Sequence, residues 1–228
     1  MLDIPESIKS LFKSDNTTND TRRHLKLYFY NKDVPLSPSG ELLPIDQEPC
    51  YVIDNKQVLT EALTITESLC ESDDLKFGEC NAAQFEITVA DVLIDLSGKE
   101  FIFTIEVGGY EMAMGIYRVE SFVRLESDRR KKKITAYNRM RRFQTDVTAW
   151  YQGLNFPMTL KSLRDSLCGH IGIEQVDTSL PLDNMLISKT IKPEQLSGLK
   201  VLQAICEING CFGQIDKTGR VKYVSIEN

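Results

Sequence analysis

Residues 99–137, KEFIFTIEVGGYEMAMGIYRVESFVRLESDRRKKKITAY, decide how the first half of the chain folds. Phe101, Phe103, Ile105 and Val107 alternate with more polar neighbours, the period-two pattern of a strand with one buried face. Gly108-Gly109 follows at once, and a glycine pair tolerates the positive φ that a tight hairpin demands. The returning strand runs through Met112–Leu125 to a turn at Glu126–Arg130, and Lys131–Tyr137 forms a further strand. In this reading Asp128–Lys131 make the turn itself.

Outward from that hairpin the same texture continues. HLKLYFYN (24–31) sets Leu25, Leu27 and Phe29 on one face, and AQFEITVADVLI (83–94) reads as another strand. VLTEALTITESL (58–69) is a strand with imperfect alternation. DVPLSPSGELLP (33–44) carries three prolines and a glycine and is a loop or hairpin tip. Residues 5–13 suit a short helix, with Pro5 early, where its missing N–H does no harm. The expectation is a mostly antiparallel β domain of six to eight strands up to about Phe143.

Beyond Phe143 the period lengthens to that of a helix. TAWYQGL (148–154) can form a helical turn. Thr159 caps TLKSLRDSLCGHIG, whose Leu160, Leu163, Leu167 and Ile171 share a helical face, and Gly172 stops it. MLISKTI (185–191) is a short strand. A second helix spans LSGLKVLQAICEING, with Leu199, Leu202, Ile205 and Ile208 as its buried stripe. CFGQIDKTGRVKYVSI closes as a hairpin around Asp216–Gly219. The fold class expected is therefore α+β, with residues 1–22 a helix and linker, 23–143 a β domain and 144–228 a small α+β domain.

Composition narrows function. At 228 residues, with 42% hydrophobic and 26% charged side chains and a mean hydropathy of −0.23, the chain matches a globular protein and excludes collagen-like and wholly disordered classes. No stretch approaches the ~18 apolar residues of a membrane span. MLDIPESIKSLFKS lacks the layout of a signal peptide, so synthesis in a cytoplasm is expected. The six cysteines are too sparse for a disulfide framework, and free thiols are expected. Two histidines, His24 and His170, with no CxxC or HxxxH nearby, leave no metal-ligand spacing. Cys168 and His170, two positions apart on a helix, point away from each other and cannot pair as nucleophile and base. No phosphate-binding glycine loop is present. No catalytic, cofactor-binding or metal residues are assigned.

Charge is unevenly spread. Residues 151–228 balance, so the net charge of −6 lies in the first 150. There an acidic segment that includes Glu71, Asp73 and Asp74 faces, in sequence, a basic one at Arg129, Arg130, Lys131, Lys132 and Lys133. These eight residues are the candidate partner interface. The alternative for the basic run is a solvated tip whose charges keep an edge from aggregating. Sequence-specific nucleic-acid binding is disfavoured by a pI near 5.1 and by the few aromatic platforms beside the cluster.

Four stretches carry a resemblance. They are TESLCESDDLKFGECNAAQFEITVADV (66–92), SDRRKKKITAYNRM (127–140), FPMTLKSLRDSLCGHIGIEQ (156–175) and ISKTIKPEQLSGLKVLQAICEINGCFGQIDKTGRVKYV (187–224). Over residues 20–228 the chain resembles the N-terminal region of tail-hub proteins of siphophages and prophages, the tail-associated lysin or prophage endopeptidase tail group. That group is related in fold to the baseplate hub of contractile phages. The resemblance implies a structural protein without catalysis of its own that caps the tail tube, in the virion. Its partners would be the distal tail protein, the tape measure and tip or fibre proteins. It also implies a trimeric ring in which each chain carries two tube-like β barrel or sandwich domains. Residues 23–143 would be the first of these and 144–228 an inserted domain. The second tube-like domain is expected beyond Asn228, and residues 1–228 alone are expected to be monomeric. DNA would pass through the assembled ring. The group's name also suggests the alternative, a peptidoglycan hydrolase whose catalytic module is absent or unrecognised here.

Overall fold

The computed structural model describes residues 23–31, 33–34, 48–59, 63–70, 76–176, 178–189 and 193–225, with Glu6, Lys9 and Ser10. The expected helix at 5–13 is seen as helical Glu6, Lys9 and Ser10, with Lys9 2.6 Å from Glu6, and otherwise lies outside the described residues. So does most of the proline-rich loop at 33–44.

Eleven strands and three α-helices are described. The strands are β1 (His24–Tyr30), β2 (Tyr51–Asp54), β3 (Thr64–Thr66), β4 (Gln84–Ala90), β5 (Glu100–Val107), β6 (Tyr110–Leu125) and β7 (Asp128–Asn138), then β8 (Met158–Thr159), β9 (Leu186–Ile187), β10 (Cys211–Ile215) and β11 (Val221–Ser225). The helices are α1 (Thr148–Gly153), α2 (Leu160–Ile171) and α3 (Gly198–Ile208). A 3-10 helix, Arg139–Gln144, follows β7 directly. The chain divides into two compact units, 1–64 with 85–136 and 65–84 with 137–228. Residues 65–84 and 137–143 thus group with the C-terminal unit, although the sequence reading set them in the β domain.

The first unit is built on a seven-stranded sheet in the order β2-β1-β5-β6-β7-β4-β3. Alternation does its expected work in β1 and β4. Leu27 and Phe29 are fully buried in β1, and Phe85, Ile87 and Val89 in β4. Central β5 buries both faces. Phe101 and Phe103 meet Phe85 edge-on at 5.2 and 5.3 Å, while Ile102 packs on the other side with Tyr30, Val34 and Ile116. Glu100 is buried with them, accepting a 2.6 Å hydrogen bond from the Val34 N–H. Desolvating that carboxylate is offset by a donor the loop holds in place.

The sheet is not the closed barrel expected. Its ends are nevertheless brought together by the chain leaving β2. Val58, four residues past Asp54, bridges Val89 of β4, with Leu59 N–H donating to Thr88 O at 3.1 Å and Ala90 N–H to Gln57 O at 2.8 Å. One bridge is too short to make a ladder, so the sheet rolls without closing. The strand expected over 58–69 reduces to that bridge and Thr64–Thr66, all exposed; residues 60–62 lie outside the described set. β4 stops at Ala90, because Asp91 takes a left-handed φ of 56° and turns the chain out of the sheet.

The second unit follows the sequence closely. Thr159 accepts from Ser162 N–H at the start of α2, and Gly172 closes it at φ 74°. Leu160, Leu163 and Leu167 are buried from α2, and Val201, Leu202, Ile205 and Cys206 from α3. Ile208, expected on that stripe, is 40% exposed, and the buried face turns instead through Val201 and Cys206. β10 and β11 pair from Cys211–Ser225 to Ile215–Val221 around the Asp216–Gly219 turn. Segment 77–80 is laced to β10: Gly78 N–H donates to Cys211 O, Gly213 N–H donates to Glu79 O, and Phe77 packs on Phe212. Cys80 thereby enters the core beside Cys206, 3.8 Å between sulfurs.

Candidate functional site

The basic run sits on the β6–β7 hairpin, and its placement corrects the sequence reading. The turn is Glu126–Ser127, and Asp128–Lys133 belong to β7 rather than to the loop. Two residues suffice to reverse the chain, so the charges that follow are set on alternate faces of a strand.

Their surroundings differ accordingly. Arg130 projects with 78% of its side chain exposed, 3.7 Å from Asp128, and Lys131 lies 3.7 Å from the same carboxylate. The Arg130 N–H donates to Asp128 and, with the charges of Arg130 and Lys131, holds its carboxyl below the usual range. Lys132 turns inward: its ammonium donates to Val92 O at 2.6 Å and lies 4.4 Å from the Phe122 ring centre. Lys133 pairs with Glu86 at 2.9 Å. Arg129 is a strand residue of β7 whose side chain is outside the described set, as are Glu71, Asp73 and Asp74. Of the four basic side chains described, Arg130 is therefore the most exposed, Lys131 and Lys133 are each half-exposed and paired with a carboxylate, and Lys132 braces the hairpin against its neighbours.

A second polar cluster escaped the sequence reading. Lys26 lies 2.7 Å from Glu106 and 3.9 Å from Glu111, and Glu111 accepts from Tyr28 and Thr104 at 2.8 and 2.6 Å. The Glu106 hydrogen bond raises the Lys26 ammonium above its ordinary value, against opposing burial. The register aligns these groups: Lys26 opposes Thr104, and Glu106 opposes Glu111. Only cross-strand pairing, invisible before the register is known, could have grouped them.

The Cys168 thiol is buried and kept protonated. All six cysteines are free, and Cys80, Cys168, Cys206 and Cys211 are buried. Burial pushes the Cys168 thiol up to about 11, far from a reactive thiolate at neutral pH. His170 lies on the exposed face of α2, stacked on Trp150 at 5.5 Å, so no Cys168–His170 pair forms. A cleft of about 510 Å³ beside Cys168 is lined by Asp165, Glu174 and Gln175, and Asp165 is held by Lys161 and Gln175. Deeper in α2, Arg164 and Asp183 are buried together, 3.2 Å apart, with the guanidinium over the Tyr223 ring. Among the described residues no group of three or more His, Cys, Asp or Glu is placed to hold a metal ion. Likewise, no helix is long and apolar enough to cross a membrane.

No family model and no curated protein matches the chain. Solved structures do. The 43 kDa tail protein of prophage MuSo2 from Shewanella oneidensis superposes with a TM-score of 0.57 at 15% identity, over 91% of this chain and 56% of that one. The chain has the fold of a prophage tail protein. A tail protein from Neisseria meningitidis MC58 aligns over 62% of this chain and 41% of its own, with a TM-score of 0.44 and 14% identity. The chain thus spans little more than half the length of the Shewanella tail protein.

Proposed function

We propose that the chain is a structural component of a phage or prophage tail, part of the hub at the tail tip that caps the tube and joins it to distal tail, tape-measure and fibre proteins. The observation that carries this reading is the superposition on a prophage tail protein over 91% of the chain, at an identity too low to reflect anything but a shared fold. Two features of the molecule support it. The first unit is a rolled antiparallel sheet whose long hairpin reaches outward, a form suited to contacts between subunits. In the second unit Cys80, Cys168, Cys206 and Cys211 pack in the core and His170 stacks on Trp150. A trimeric ring in the assembled tail belongs to the same proposal.

Deletion and complementation test it. A prophage lacking this gene should release filled heads without functional tails, and supplying the gene in trans should restore plaque formation. Normal tails and normal titre from the deletion would overturn the assignment.

A further inference from the structure

Three buried thiols of the second unit lie side by side. Cys80 enters from segment 77–80, Cys206 from α3 and Cys211 from the first position of β10. The Cys80 sulfur is 3.8 Å from that of Cys206 and 3.4 Å from the Gly78 carbonyl oxygen, and the Cys206 thiol also hydrogen-bonds Cys211. Buried cysteines commonly act as small apolar fillers. Gly213 of β10 sets this pair apart. A Cβ there would meet the Cys80 sulfur at 2.6 Å and the Cys206 sulfur at 3.3 Å. No left-handed φ explains the glycine, and a glycine inside a strand marks a place that something approaches closely. The sulfur pair is what approaches.

Each sulfur is positioned by its own anchor. Gly78 N–H donates to Cys211 O and Gly213 N–H to Glu79 O, which pins segment 77–80 along β10. α3 is fixed by the Ser197 cap and by Val201, Leu202 and Ile205 in the core. Drawing the sulfurs together to a disulfide bond of about 2 Å moves each by about 0.9 Å, which modest side-chain rotation supplies. The two cysteines are 126 positions apart, so a link between them would strongly restrict the unfolded chain.

We propose that Cys80 and Cys206 form a redox-controlled latch, open in the reduced chain and closed by a peroxide to a disulfide that fastens segment 77–80 to α3. One thiolate attacks a peroxide oxygen: an S–O bond forms, the O–O bond breaks, and the leaving hydroxide takes up a proton as water. The second sulfur then attacks the sulfenic sulfur, forming the S–S bond and releasing the oxygen as a second water. Together the two thiols give up two electrons and two protons, and the peroxide is reduced to water. Hydrogen peroxide is small enough to reach the pair when segment 77–80 opens locally. The inference concerns the purified chain and stands apart from the tail assignment.

The test uses the purified chain carrying Cys50→Ser and Cys70→Ser, which leaves the four buried thiols. Folded protein is treated with hydrogen peroxide, catalase ends the reaction, and remaining thiols are alkylated after unfolding. Alkylatable thiols should fall from four to two and return with dithiothreitol. A non-reducing digest should contain a Cys80 peptide joined to a Cys206 peptide. The oxidised chain should unfold at a higher urea concentration than the reduced one. Oxidising the urea-unfolded chain should instead scatter the links among all four cysteines. The proposal is overturned by any of five results: four thiols surviving the peroxide, a link through Cys168 or Cys211 in place of Cys80–Cys206, sulfinic acid without a cross-link, the same links from folded and unfolded chains, or an oxidised chain no more resistant to urea than the reduced one.

Discussion

Burial sets the protonation state of a single side chain, Cys168. Cys168 is 2% exposed, packed among leucines, and kept protonated by burial. Its thiol, raised to about 11 in the folded state, contributes stability that is complete below the unfolded value near 9 and is lost as pH rises through 11. Cys168→Ala should therefore lessen the fall in urea-unfolding stability between pH 8.5 and 10.5 by about 2 kcal/mol. An unchanged slope would show that this thiol ionises as freely in the folded protein as in the unfolded one. Gly78 makes a second residue-scale case. It sits at φ +92°, and a Cβ there would meet Glu207 Cβ at 2.7 Å and Gln203 O at 2.9 Å on α3. Gly78→Ala should cost about 2–3 kcal/mol by combining left-handed strain with a backbone clash, read as a lowered unfolding midpoint. No such penalty is expected for Gly153→Ala, which has open space around it.

Elements show how much the sequence announces and where it falls silent. α2 was legible to the residue because its cap, its apolar stripe and its stop are local signals: Thr159, Leu160–Leu163–Leu167 and Gly172. The β5–β6 hairpin was legible for the same reason, through alternation ending at Gly108-Gly109. Segment 77–80 was not, because nothing near Phe77 announces that Gly78 and Glu79 will pair with β10, more than a hundred residues away. The rolled, unclosed sheet was likewise hidden, since closure depends on whether residues 57–59 form one bridge or a full ladder. The basic run was visible as charge but misplaced as a turn: seven charged or polar residues from Glu126 to Lys132 look like a loop, yet two of them suffice for the reversal. Its new setting gives a sharper expectation. Arg130→Glu with Lys131→Glu removes only exposed pairs with Asp128, so the unfolding midpoint should move by no more than about 0.5 kcal/mol. The same double variant should abolish plaque formation in complementation if the hairpin meets another tail protein. Full titre would return these charges to the role of a solvated, aggregation-resistant edge.

At the scale of the whole molecule the fold of a prophage tail protein is joined to an open sheet rather than a closed ring element. A closed assembly needs complementary edges whose rotation fits the symmetry. Among the described residues the basic hairpin offers a charged contact, and exposed ion pairs of about 0–1 kcal/mol each fall short of the several kcal/mol that association costs. Residues 1–228 should be monomeric at micromolar concentration by light scattering, and a chain extended through a second tube-like domain should be trimeric. A trimer or hexamer of residues 1–228 at low concentration would mean that these residues already hold the ring contacts.

The central claim is that the chain sits at the tip of a phage tail, and immunogold electron microscopy of induced particles tests it most directly. With antibody raised against residues 1–228, gold should mark the end of the tail distal to the head and no other part of the particle. Particles that carry no label on their tails, or label along the capsid, would contradict it.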